Sequence, residues 1–94
     1  MKFEWDKNKA VTNEQKQGVS FDEAQTVFDD LLAYIFDDDW SSYGERRELM
    51  IGHSDKGQLL IVSFTERIQD VIRIISARPV TTNELKDYEK HRRI

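Results

Sequence analysis

The chain contains no cysteine, one proline and four glycines in 94 residues. Without cysteine there is no disulfide and no thiolate metal site, and the redox compartment is unconstrained. Only two histidines are present, His53 and His91, far apart and outside any His-x-x-x-His pair, so a zinc site has no support. The few glycines form no phosphate-cradling loop and no Gly-x-Ser-x-Gly elbow, which excludes the usual nucleotide-binding and serine-hydrolase patterns. No apolar run nears the ~18 residues of a membrane span. Met1 to Lys9 alternates apolar and charged residues and holds no apolar signal core, so a cytoplasmic protein is expected. Aspartates 37 to 39 lack the spacing of a calcium loop and read as a solvated acidic stretch.

What is present points to one domain spanning 1–94. Leu, Ile, Val and Phe recur in clusters although the mean hydropathy is −0.69, a balance that favours a folded over a disordered chain. The net charge of −4 is unevenly spread. Residues 22–39 carry seven acids and no base, whereas seven bases face four acids from Arg67 onward. A polarised chain of this kind can still offer phosphate a local basic face.

Phe3-Glu4-Trp5 alternates as a short strand does. Asp6 is placed to cap a helix over 7–17, and Gly18 to end it in the left-handed conformation. That helix is mostly polar. Lys9, Asn13 and Lys16 are spaced i, i+4, i+7 and share a face. Such a stripe is either a solvated surface or the wall of a polar groove. Ser20 and Glu23 fit a capping box for a second helix, whose buried face would comprise Phe21, Ala24, Val27, Phe28 and Leu31. Ala33–Phe36 reads as a strand or edge segment, and 37–44 as a loop. Strands are expected at 48–53, 58–66 and 70–77, joined by two short connections into a meander with 58–66 inside. Pro79 ends the last strand. Thr81 and Glu84 fit a capping box for a final helix with Leu85 and Tyr88 on one face. The expected fold class is α+β, an antiparallel meander with two N-terminal helices and one C-terminal helix.

Arg73 interrupts an apolar strand, so it is either ion-paired or directed into a polar cavity. Arg78 falls on the opposite parity in an ideal strand. Bringing the two together requires a twist or a bulge. Trp5 and Tyr88 either pack in the core or stack on a base.

The order of motifs resembles the BrnT family. Phe3-x-Trp5-Asp6-x-x-Lys9 and Asn13-x-x-Lys16-x-Gly18-Val19-x-Phe21-x-Glu23-Ala24 are similar to its opening. Gly44-Glu45-x-Arg47 and Ile51-Gly52-x-Ser54-x-x-Gly57 are similar to its middle. Thr65-Glu66-Arg67, Ile72-Arg73-Ile74-Ile75-Ser76-Ala77-Arg78, Glu84 and Tyr88-Glu89 are similar to its close. The resemblance implies a RelE-like fold and a type II toxin that cleaves RNA without metal or other cofactor and arrests translation. It implies two partners: the RNA substrate and a BrnA-like ribbon-helix-helix antitoxin through which DNA is bound indirectly. No membrane partner is implied. By the same resemblance Arg73 and Arg78 contact phosphate, and Lys16 orients or activates the nucleophile. Lys9, Asn13, Gln17 and Tyr88 would bind substrate. Family members commonly carry Lys-His-Gly where this chain has Lys16-Gln17-Gly18, and glutamine does not titrate near neutral pH. The alternative is therefore a catalytically silent homologue that binds an antitoxin as co-repressor, or a small interaction module. An antitoxin would need apolar anchors, and Leu32, Tyr34, Phe36, Trp40 and Tyr43 are candidates beside the acidic stretch.

Overall fold

A computed structural model describes residues 1–37 and 47–92. Its elements are β1 (Lys2–Glu4), α1 (Lys7–Gln17), α2 (Phe21–Thr26), a 3-10 turn (Val27–Asp29), β2 (Tyr34–Asp37), β3 (Glu48–His53), β4 (Leu59–Arg67), β5 (Val71–Pro79) and α3 (Thr82–Arg92). The five strands form one sheet in the order β1-β5-β4-β3-β2. The meander is as expected, with the two-sidedly apolar β4 between β3 and β5. The sheet is not wholly antiparallel, because β1 returns to pair parallel with β5.

The helix ends follow from local chemistry. The Asp6 carboxylate accepts the Asn8 and Lys9 N–H groups at 2.8 and 3.1 Å. Those two bonds, Lys9 first, hold its carboxyl below the ordinary value. Gly18 closes α1 at φ 70°, where a Cβ would be strained. The final helix has a complete capping box: Glu84 N–H donates to Thr81 Oγ1 at 3.2 Å and Thr81 N–H to Glu84 Oε1 at 2.8 Å. The box at α2 is half formed. Ser20 Oγ accepts the Glu23 N–H, but the buried Glu23 carboxylate turns away to accept the Ser54 hydroxyl at 2.7 Å. It thereby ties α2 to the β3–β4 turn.

Two layers cover the sheet. Val19, Phe21, Ala24 and Val27 pack on one face against Val62, Phe64, Ile72 and Ile74. Trp5 belongs to this core, edge-on to Phe21 at 5.8 Å. Leu31 does not, and the expectation that it would is corrected. α2 gives way to a 3-10 turn after Thr26, the angular step per residue increases, and Leu31 emerges 98% exposed. Asp30 accepts the Leu32 and His53 N–H groups at 2.9 and 2.8 Å. On the other face Tyr88 of α3 packs with Ile51 and Ile61, its ring edge-on to His53. Leu85, expected beside it, is 37% exposed, so among the described side chains of α3 Tyr88 is the buried anchor.

Gly52 in β3 lies beneath the 3-10 turn. A Cβ there would stand 2.9 Å from Ala33 Cβ and 3.0 Å from Val27 Cγ1. Gly52→Ala is expected to cost about 2 kcal/mol by overpacking. Urea denaturation checks this; an unchanged midpoint would show that the turn yields.

Candidate functional site

The site is built where β1 stops. β1 covers the outer edge of β5 only as far as Arg73, opposite Glu4. Beyond that point α1 takes over the edge. Its Asn13 amide donates to Ala77 O at 2.8 Å and accepts Ala77 N–H at 3.1 Å, the two bonds a neighbouring strand would make. The same Nδ2 donates to Val19 O at 2.9 Å. Asn13 is 8% exposed, and all its polar capacity points inward. Its amide, expected to bind substrate, is engaged by these backbone groups, so Asn13 holds the wall on which Lys9 and Lys16 stand.

Between that wall and β5 runs a cleft of about 320 Å³, lined by Asn8, Lys9, Thr12, Asn13, Lys16, Gln17 and Ile75. A second cleft of about 320 Å³ opens on the face that carries α3 and includes Arg47, Ser63, Ser76, Arg78, Glu84 and Phe36. Ile75 borders both clefts. The reason is a β-bulge. Ser63 pairs with Ser76 but Phe64 pairs with Ile74, leaving Ile75 as an extra residue on β5. The bulge also resets parity. Ile72, Ile74 and Ala77 face the first core, while Arg73, Ser76 and Arg78 share the other face.

The two arginines share a face but not a position. Arg73 lies opposite Thr65 and Arg78 opposite Ile61. Four strand residues separate those levels, roughly 13 Å. Arg73 donates from Nη1 to Glu4 Oε2 at 2.9 Å, and Arg67 shares that carboxylate at 3.5 Å. Arg73, expected to project towards the Lys9–Asn13–Lys16 face with Arg78 close by, is well separated from Arg78 along the sheet and stands at the Asp6 end of α1, where its charge and that of Lys9 both reach the Asp6 carboxylate. Its side chain stays 34% exposed. Arg78 makes a two-pronged ion pair with Glu84, Nη1 to Oε1 at 2.8 Å and Nη2 to Oε2 at 2.7 Å. Tyr88, expected either to pack in the core or to bind substrate by stacking on a base, is 2% exposed and packs, so its ring is not offered to a base. α3 carries so little apolar surface that this ring is needed to seat it. Leu32 is 56% exposed, and Tyr34 and Phe36 are half-buried and stacked on one another at 5.2 Å. Trp40 and Tyr43 lie outside the described residues.

Sequence reasoning gave no role to Arg47 and treated Glu84 only as a cap. A lone arginine before a strand has no periodic signature, so the sequence does not announce Arg47. Among the described residues no three His, Asp or Glu side chains gather as a metal site would require. The polar groups of the first cleft are ammonium, amide and hydroxyl, and those of the second are guanidinium and hydroxyl with the Glu84 carboxylate paired to Arg78, a set that leaves cationic donors for an anion.

The Arg78 guanidinium, with help from the Thr81 N–H, holds the Glu84 carboxyl at about 2, against partial burial that raises it. A depressed folded-state pKa stabilises above the unfolded value near 4.5 and is lost as pH falls towards 2. The pair is partly exposed, so solvent screening leaves about 1 kcal/mol. Unfolding free energy measured from pH 5 to pH 2 is expected to fall by that amount more in the wild type than in Glu84→Gln. Parallel curves would show that the pair adds nothing.

Residues 5–84 match the family described as "Ribonuclease toxin, BrnT, of type II toxin-antitoxin system". A solved structure, the 1.1 Å crystal structure of the Brucella abortus ribonuclease toxin BrnT, is similar, with 25% identity over 87% of this chain and 99% of that one and a TM-score of 0.67. No curated protein matches the chain. The class these matches define is the ribonuclease toxin of a type II toxin–antitoxin system. The chain belongs to the BrnT family.

Proposed function

We propose that the chain is a cytoplasmic endoribonuclease toxin of one RelE-like domain spanning 1–94, which cuts RNA without a metal and so arrests translation. The observation that carries this reading is the pair of clefts joined at Ile75, with the Lys9 and Lys16 ammonium groups on one side and Arg78 on the other. Neither lysine makes a salt bridge with a described residue, and although the Lys9 charge also acts on the Asp6 carboxylate, both ammonium groups keep their donors for an anion. RNA laid across the bulge meets cations on both sides of its backbone.

The reaction is transphosphorylation within the RNA. The ribose 2′-oxygen attacks the adjacent phosphorus as its proton passes to solvent water, the bond to the 5′-oxygen breaks as that oxygen takes a proton from water, and the products are a 2′,3′-cyclic phosphate and a 5′-hydroxyl. Arg78 stabilises the extra charge on the phosphorane oxygens. Lys16 orients the 2′-hydroxyl, and Gln17 hydrogen-bonds the substrate without titrating. Lys9 holds the flanking backbone, and Arg73 extends the basic rim at the β1 end. Glu84, held at about 2, is too weak a base for neutral pH and serves as the partner of Arg78.

The type II family implies an antitoxin, which we take to be a BrnA-like ribbon-helix-helix protein that carries the complex to DNA. Leu31, Leu32 and Ile35 are exposed beside Asp29 and Asp37, a surface suited to an apolar segment with basic flanks. Two measurements test the reading. Expression should arrest growth, and Arg78→Ala should relieve it. Purified chain should cut RNA in chelator, leave a cyclic phosphate end, and fail on RNA with a 2′-deoxy residue at the cut. A folded chain that neither arrests growth nor cuts RNA would leave the silent antitoxin-binding role.

A further inference from the structure

The second cleft contains two guanidinium groups in opposite states. Arg47 is half-buried in the cleft wall, yet it makes no hydrogen bond or ion pair with a described residue. A partly desolvated cation without a counter-ion is costly, and such a group is kept where an anion arrives. Arg78 is already engaged. Its Nη1 and Nη2 both donate to Glu84, and Nη1 also reaches Pro79 O at 3.3 Å. A guanidinium has five N–H bonds. The Nε–H and one Nη2–H of Arg78 remain uncommitted among the described residues, which is the side edge suited to a second two-pronged contact. Glu84 is itself fixed, since its Oε1 accepts the Thr81 N–H that opens α3. The Arg78 fork is thus anchored to a helix end, and with its charge cancelled by Glu84 the net positive charge of the described cleft residues is that of Arg47.

The remaining lining says which anion. Ser63 and Ser76 lie opposite one another across the ladder and supply hydroxyls, and Phe36 supplies aromatic surface in the same cleft. Guanidinium, hydroxyl and aromatic surface together match a phosphate with a sugar and base attached, more closely than a carboxylate of an acidic peptide.

We infer that Arg47 and Arg78 form a phosphate subsite for RNA, in which Arg47 binds the anion and Glu84 is a positioning residue that fixes Arg78. The inference rests on the RNA-cleaving reading above and adds to it two residues with separate duties. The phosphate bound by Arg47 is held in ground state and transition state alike. Glu84 matters for where Arg78 stands when the phosphorane forms.

The test uses the full chain with two probes, a cleavable RNA and an uncleavable 2′-deoxy version of the same strand. Arg47→Ala is expected to weaken binding of the uncleavable strand about tenfold and to raise KM with little change in kcat. It should also lower the slope of log affinity against log salt by about 0.7, one phosphate contact on a single strand. Arg47→Lys keeps the charge and should restore the slope, though not the full affinity. Arg47 has no described partner to lose, so both variants should fold with the wild-type denaturation midpoint. Glu84→Gln, which retains an oxygen for the Thr81 N–H, removes a negative charge from the cleft. It should bind the uncleavable strand several-fold more tightly while kcat falls tenfold or more. General structural damage does not move binding and turnover in opposite directions. Unchanged affinity and slope in Arg47→Ala would overturn the subsite and leave the RNA-cleaving reading standing. Wild type that binds the strand through Arg47 but never cuts RNA would keep the subsite and remove the cleavage reading. Loss in Arg47→Ala of affinity for a glutamate-rich peptide, with no binding of the strand by any form, would overturn both in favour of a protein partner.

Discussion

Asn13→Ala is expected to lower the unfolding free energy by about 3 kcal/mol, which for a chain of this size is a fall of roughly 15 °C in Tm. α1 has almost nothing else to hold it. Ala10 packs partly against the core, while Val11 is 57% exposed. The Asn13 amide satisfies three backbone groups at once, the Ala77 N–H, the Ala77 carbonyl and the Val19 carbonyl. Alanine leaves all three in a buried setting, where each unmet group costs about 1–3 kcal/mol before water from the adjacent cleft recovers part of it. Asn13→Asp should be no milder, because a carboxylate keeps one acceptor, loses both donors and brings a charge to a position 8% exposed. Thermal and urea unfolding of both variants checks the expectation. A loss under 1 kcal/mol would mean that α1 is held mainly by its few apolar contacts. RNA binding should weaken more than stability alone requires, since Lys9 and Lys16 ride on the element that loosens.

How far the fold was legible depends on whether the deciding interaction is local. Asp6 and Gly18 mark both ends of α1 through bonds and torsions within a few residues, and those ends were read correctly. The strands of the meander declare themselves through dense runs and short connections, and β4 through apolarity on both sides. Apart from Leu31, which a local 3-10 turn displaces, the misreadings involve partners distant in the chain. Glu23 has the right spacing to cap α2 but meets Ser54, 31 positions away, and prefers it. Asn13 has the spacing of a solvated stripe and finds Ala77, 64 positions away. The bulge at Ile75 exists only in the pairing of β5 with β4, so ideal alternation placed Arg73 and Arg78 on opposite faces when they share one. Tyr88 is equally consistent with stacking and with packing until α3 is seen against the sheet. The site was legible as a set of cations. Which of them converge was not, because convergence is set by one inserted residue and one amide.

That convergence separates the two arginines in function. Arg78→Ala is expected to lower kcat/KM for RNA cleavage 100-fold or more, and Arg73→Ala no more than about tenfold, mostly through KM. Levels roughly 13 Å apart along the sheet are too distant for both side chains to hold the oxygens of one phosphate. Arg78 stands in a cleft with Ser63, Ser76 and Arg47, and its side edge is uncommitted among the described residues. Arg73 spends a donor on Glu4 at the end of the sheet where β1 pairs, so it can serve a flanking phosphate only. Removing an oriented donor to a developing oxyanion costs about 2.7–4 kcal/mol of barrier, which is the 100-fold or greater loss expected for Arg78. Arg78→Lys should recover little of it, because an ammonium cannot hold Glu84 with one edge and phosphate with another. Arg78→Ala also gives up the Glu84 pair, about 1 kcal/mol of stability, so single-turnover cleavage should be compared at 25 °C with folded protein confirmed by circular dichroism. Equal losses in the two variants would move the reacting phosphate to the β1 end and make Glu4, rather than Glu84, the carboxylate that positions the reactive arginine.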